Sequence, residues 1–182
     1  MTVSQGARVQ ACTNKMRQEL QELAGLGVQM VGNAFSAVLF VKGEPGPAQE
    51  AGGQLMSGAD GKALRAALLR LGYAPEDWLA MDVSPRASIE PALLRRAICA
   101  LDPATVVACD EAAAAALRDA LADDLSALSN LDDALLVPGR VVQVLGMRVL
   151  NLGGFEAALS SDKQKQVMWA RLKKIPPLGE PY

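Results

Sequence analysis

AVLFVKGEPGPAQEAGGQLMSGADGKALRAALLRL, residues 37 to 71, decides the fold. Its first five residues are apolar without a break, the pattern of a strand buried on both faces of a parallel sheet. Its last eleven carry Leu64, Leu68 and Leu71 on one helical stripe, with Lys62, Arg65 and Arg70 placed to stay in water. Between them lies a long loop rich in glycine and proline. In an α/β protein such a loop, at the carboxyl end of a strand, is where backbone N–H groups and the next helix converge on ligands.

Upstream, the spacing of Met16, Leu20, Leu23 and Ala24 predicts a helix over 13 to 24, capped by Thr13 or Asn14 and ended by Gly25 and Gly27. Residues 28 to 34 read as a connection, and the first strand as 35 to 41. Downstream, 78 to 83 is a second strand, and Pro85 blocks its continuation. Ser88 is the expected N-cap of a helix over 89 to 101, with Pro91 in its first turn and Leu94, Ile98 and Leu101 facing the sheet. Residues 105 to 109 form a third strand, and Asp110 caps an alanine-rich helix that reaches Leu121.

The acidic stretch after that helix reads as a short helix or a loop. Residues 140 to 144 and 147 to 152 form either a hairpin or two edge segments. A second glycine loop follows, then a helix capped by Ser160 or Ser161 with Val167, Met168, Leu172 and Ile175 on its apolar face, and Pro176-Pro177 ends the ordered domain. Alternation of strand and helix implies right-handed crossovers and a parallel sheet covered on both faces. The expectation is one α/β domain over 1 to 182, ordered from about 13 to 176, with three α/β/α layers around a mainly parallel sheet of about four strands.

Composition narrows the chemistry. With 182 residues, 51% of them hydrophobic and only 4% aromatic, the core must be built from Ala, Leu and Val. There is no histidine, which removes the commonest general base and every Ser-His or Cys-His mechanism. Cys12, Cys99 and Cys109 are too few and too scattered for a disulfide framework or a four-cysteine metal or cluster site. Neither a membrane-spanning run nor the apolar segment of a signal peptide is visible, so a cytoplasmic monomer without metal or cofactor is expected. A net charge of −2 gives no general attraction to nucleic acid.

The loop after the first strand is neither a P-loop nor a G-x-G-x-x-G fingerprint. Acidic residues fall at strand ends, however. Glu44 and Asp82 are expected to face a common pocket, suited to positioning water or accepting from N–H donors, whereas Asp110 reads as a helix cap. Lys163, Lys165, Arg171, Lys173 and Lys174 on the last helix read as a solvated face.

Taken together these pieces resemble the uracil-DNA glycosylase superfamily, and its family 4 branch most. GEPGPAQEA, residues 43 to 51, resembles the pattern G-E-A-P-G-x-x-E-D, one residue shorter and with Ala51 at the closing acidic position. GGQLMSGADGKAL, LLRRAICALDPATVVACDEAAAAAL and PGRVVQVLGMRVLNLGGFEAAL with VMWARLKKI resemble the later motifs in order and spacing, from about residue 16 to 175.

The resemblance implies a partner, DNA in single- or double-stranded form, and an activity, hydrolysis of the N-glycosidic bond of an extruded deaminated or damaged base. It implies that Glu44 or Glu50 positions water and that Gly43, Pro45, Gly46, Met56, Asp82 and Gly154 form the base site. Met56 stands where the family has a stacking aromatic, Asp82 where it has an amide that reads the base edge, and Gly154 where it has a histidine. The family's iron-sulfur cysteines are missing. Losing a donor comparable to that histidine costs roughly a factor of 10² to 10³ in rate. The alternative is therefore a non-catalytic binding or interaction domain that kept the fold and lost the chemistry.

Overall fold

The computed structural model describes residues 5 to 176. The chain runs α1 (Gln5–Gly25), β1 (Gln29–Gly32), β2 (Val38–Lys42), α2 (Pro47–Glu50), α3 (Ala59–Arg70), β3 (Leu79–Asp82), α4 (Pro91–Leu101) and β4 (Thr105–Ala108). It continues with α5 (Glu111–Ala120), α6 (Ala122–Ser126), α7 (Leu131–Ala134), β5 (Val141–Val144), β6 (Met147–Asn151), α8 (Phe155–Ala158) and α9 (Asp162–Leu172).

The six strands lie in the order β1-β3-β2-β4-β6-β5. The four central ones are parallel, while β1 runs antiparallel to β3 and β5 antiparallel to β6. The sheet is therefore mixed and six-stranded, which corrects the expected mainly parallel sheet of about four. The extra strands are its edges. Residues 140 to 152 adopt the hairpin alternative, and the supposed connection at 28 to 34 contains β1. QMVG is too short to show a period of its own; it becomes a strand because the outer edge of β3 offers the register Gln29↔Asp82 to Gly32↔Leu79.

Alternation along the buried strands builds two cores. Leu39 and Val41 of β2 join Leu79, Met81, Val106 and Val149 beneath α1, α4 and α5, through Leu23, Leu94, Ile98 and Leu117. Val38 and Phe40 face the other way, onto Leu64 and Leu68 of α3, Phe155 of α8, and Met168 and Leu172 of α9. Each strand residue thus chooses a layer by its parity. Helices cover both faces, as the unbroken apolar run of β2 requires.

Several boundaries move. Strand β2 starts at Val38, because Phe35 is 66% exposed and Asn33 and Ser36 turn the chain before it. Helix α4 starts at Pro91, since Ser88 has φ near 49° and so cannot cap it. Helix α1 starts eight residues before Thr13, and salt bridges from Arg96 to Glu19 and Glu22 tie it to α4. Val167 is exposed, so the apolar face of α9 narrows to Met168 and Leu172, with Ile175 just beyond the helix. Arg171 leaves the solvated face to donate to the Leu152 carbonyl, while Lys163, Lys165, Lys173 and Lys174 stay exposed. Among the described residues no helix is long and apolar enough to cross a membrane. Pro177, the expected end of the domain, lies outside the described residues.

Candidate functional site

From β2 the chain crosses to β3 on one side, and from β4 to β6 on the other, so the strand order reverses between β2 and β4. At such a switch point the connecting segments diverge and leave a crevice at the carboxyl ends of the strands. A cavity of about 200 Å³ sits there. Lys42, Glu44, Pro45 and Gly46 line it after β2, Cys109 and Asp110 after β4, and Gly154, Phe155 and Glu156 after β6, with Met56, Asp60 and Leu64 closing the side.

Lys42 is the last residue of β2, and its side chain is only 5% exposed. A central strand leaves an ammonium no route to water, so it must be met by carboxylates. Asp60, in the first turn of α3, and Glu156, in α8, both accept from Nζ, Glu156 at 2.9 Å. Burial alone would lower the Lys42 pKa, but these two hydrogen bonds and charges outweigh it and raise the value.

Asp110 fixes the loop that leaves β2. Its carboxylate accepts from the Ala113 N–H at 2.8 Å, as an N-cap should, and also from the N–H groups of Gly43 and Glu44 at 3.1 Å. One carboxylate therefore joins the start of α5 to the first turn of the glycine loop. The approach is so close that a Cβ on Gly43 would stand 2.5 Å from the Ala113 nitrogen. At Gly46 the neighbour is instead the end of the Glu156 side chain, whose carboxylate would have to shift to admit a Cβ.

Among the residues singled out from sequence, Glu44, Pro45, Gly46, Met56 and Gly154 meet at this cavity. Gly43 stands beside them, its N–H held by Asp110. The Glu44 side chain is exposed and forms no hydrogen bond or ion pair with the described residues. Met56 is buried with φ near 60°, and Gly154 has φ near 107° as it enters α8. The N–H groups of Gly154 and Phe155 both donate to the Cys109 carbonyl, so they are already used.

Two expectations change. Glu50, in α2, is exposed and lines neither this cavity nor its neighbour. Asp82 does not share a pocket with Glu44. It opens into an adjoining cavity of about 470 Å³ on the β1 side, and Pro45 is the common wall. The cause is the sheet order: β3 lies between β2 and β1, one strand away from the switch point.

Lys42, Asp60, Phe155 and Glu156 escaped the sequence reading. Lys42 had a signal, because a lone lysine closing AVLFV must find acidic partners if the strand is central. Asp60 and Glu156 sat in loops with no pattern to single them out. In sum, one ammonium faces four carboxylates in the lining, Glu44, Asp60, Asp110 and Glu156. The cavity suits N–H donors or a developing cation and repels anions. Among the described residues no group of three or more Cys, Asp or Glu is arranged to hold a metal ion. Comparison with known proteins finds no protein family and no curated sequence that matches this chain.

Proposed function

We propose that this chain is a divergent uracil-DNA glycosylase-like domain that takes an extruded base, or a ring of that size, into the cavity at the ends of β2, β4 and β6. One observation carries the reading: five positions that the resemblance assigns to the water-positioning and base-binding roles converge on one cavity at the switch point of the sheet. Phe155, buried in the cavity wall, supplies the aromatic surface that Met56 cannot.

The charges say which part of the reaction survives. Hydrolysis of an N-glycosidic bond needs a carboxylate to orient water and to stabilise the cationic sugar, and Glu44 is free for both. It also needs a donor for the departing base. Lys42 is engaged by Asp60 and Glu156, and the N–H groups of Gly43, Glu44, Gly154 and Phe155 are occupied, so a uracil anion meets carboxylates and no free side-chain donor. The proposed domain therefore binds a base and excises uracil slowly at best. The same acidic lining favours, as the second reading, a binding domain without catalysis.

The test incubates the protein with single- and double-stranded oligonucleotides carrying uracil, hypoxanthine or xanthine and scores abasic sites, alongside binding at several salt concentrations. Base-dependent binding that weakens in Glu44→Gln supports the proposal, and cleavage lost in that variant adds the enzyme to it. Binding without cleavage selects the second reading. The absence of both cleavage and salt-dependent binding rules out the nucleic-acid role.

A further inference from the structure

The adjoining cavity contains polar groups that the fold does not use. Ser84 is 2% exposed, and its Oγ is a buried side-chain atom without a hydrogen-bond partner. Leaving such a hydroxyl unsatisfied carries its full desolvation penalty. A native fold tolerates that where a ligand supplies the partner.

Its neighbours are under-used too. Asp82 accepts from the Ser84 N–H at 2.8 Å through Oδ1, while Oδ2 has only a long 3.4 Å contact from the Gln49 amide. Arg86, an exposed residue, lines the same cavity and forms no hydrogen bond or ion pair with the described residues. In particular, Asp82 and Arg86 are not paired with each other. A carboxylate and a guanidinium that share a cavity without neutralising one another are set up to be bridged. The rest of the lining mixes glutamines with apolar side chains, of which Val28 and Leu55 are buried and Met30 and Val31 half-buried.

We propose that this second cavity binds a small zwitterion with an apolar body, of the chemistry of an apolar α-amino acid. The Arg86 guanidinium takes the carboxylate, Asp82 takes the ammonium, Ser84 donates to the carboxylate, and the side chain lies against Val28, Met30 and Leu55. At about 470 Å³ the space falls within the usual range for small-molecule sites and also admits a dipeptide. The same two charged ends can thus come from a free amino acid or from a short peptide.

Calorimetric titration of the full chain tests this with L-leucine, L-phenylalanine, leucyl-leucine, N-acetyl-leucine and leucinamide. Binding of the zwitterions is expected, tighter for the amino acid or for the dipeptide according to the source. Each blocked form should bind roughly tenfold or more weakly, since each lacks one charge-assisted hydrogen bond. Arg86→Ala should bind leucine as poorly as wild type binds leucinamide. Ser84→Ala should bind several-fold more weakly without losing thermal stability in the unliganded state, which separates a ligand contact from a structural role. No heat with any of these compounds at millimolar concentration overturns the proposal, as does binding that ignores both Arg86→Ala and Ser84→Ala. Glu44 lies outside this cavity, so the oligonucleotide assay can fail or succeed without affecting this result.

Discussion

The two cavities on either side of Pro45 are built on opposite plans. In the switch-point cavity the buried charges are answered from within: Lys42 by Asp60 and Glu156, Asp110 by three backbone N–H groups. In the β1-side cavity Ser84 Oγ, Arg86 and half of Asp82 are left unanswered. The first arrangement holds the loops after β2, β4 and β6 in place without help, whereas the second leaves its bonding capacity to whatever enters. Substitution in the first should therefore be felt as lost stability, and in the second as lost binding.

Lys42→Met should have the largest effect. Methionine fills much of the lysine stem's volume, but Asp60 and Glu156 are then left without their cation, Asp60 in an almost fully buried position. Removing one partner of a buried ion pair costs about 3 to 5 kcal/mol. Urea unfolding should show that loss, and a triple variant that also carries Asp60→Asn and Glu156→Gln should recover much of it. A cost below 1 kcal/mol for Lys42→Met would mean that the network is surface-like and would break the contrast between the cavities.

Asp110→Ala is expected to rank second. It removes a helix cap, worth about 0.5 to 2 kcal/mol, and also the acceptor for two loop N–H groups. Asp110→Asn keeps an acceptor and should fall between the variant and the wild type. Hydrogen exchange should locate the damage: amides of Gly43 and Glu44 lose protection along with the first turn of α5. If only α5 responds, the loop is held by other contacts.

How far the sequence could be read follows from the same distinction between local and assembled features. Strands β2, β3 and β4 and helices α3, α4 and α5 were legible because unbroken apolar runs, helical stripes and proline stops are local signals. The Asp110 cap was legible for the same reason. Strand β1 was not, since four residues of mixed polarity become a strand only when β3 offers its edge. The resemblance brought Glu44, Pro45, Gly46, Met56 and Gly154 to one place, and the fold unites them. It also put Asp82 there, and the order β1-β3-β2 moves Asp82 one strand away. The ion triad joins residues 42, 60 and 156, and Ser84 matters only because nothing bonds its oxygen. Neither property exists before the chain is folded.

Ser84→Ala should act in the opposite sense to the first two substitutions. Deleting an unsatisfied buried hydroxyl removes its desolvation cost, so the unliganded protein should gain up to about 1 kcal/mol. Thermal unfolding without ligand measures this. A clear loss of stability would show that the hydroxyl already has a structural partner, and the two cavities would then be built alike.

The smallest effect concerns Cys109 and separates the cavities by pH. Burial pushes its thiol pKa well up; Asp110, Asp60 and Glu156 push the same way and Lys42 opposes them. A group whose pKa is raised on folding contributes fully below its unfolded value, near 8.5, and loses that contribution as pH rises through the folded value. Stability should fall by less than about 1 kcal/mol by pH 9, and Cys109→Ala should flatten that part of the profile. Lys42, also raised on folding, adds a further loss only above about pH 10.4. A thiol reagent should label exposed Cys12 and Cys99 in the native protein, with Cys109 following at the rate of opening. Rapid native labelling of Cys109 would mean that the side chains covering its sulfur move aside easily, contrary to the internally answered charges that hold this cavity's loops in place.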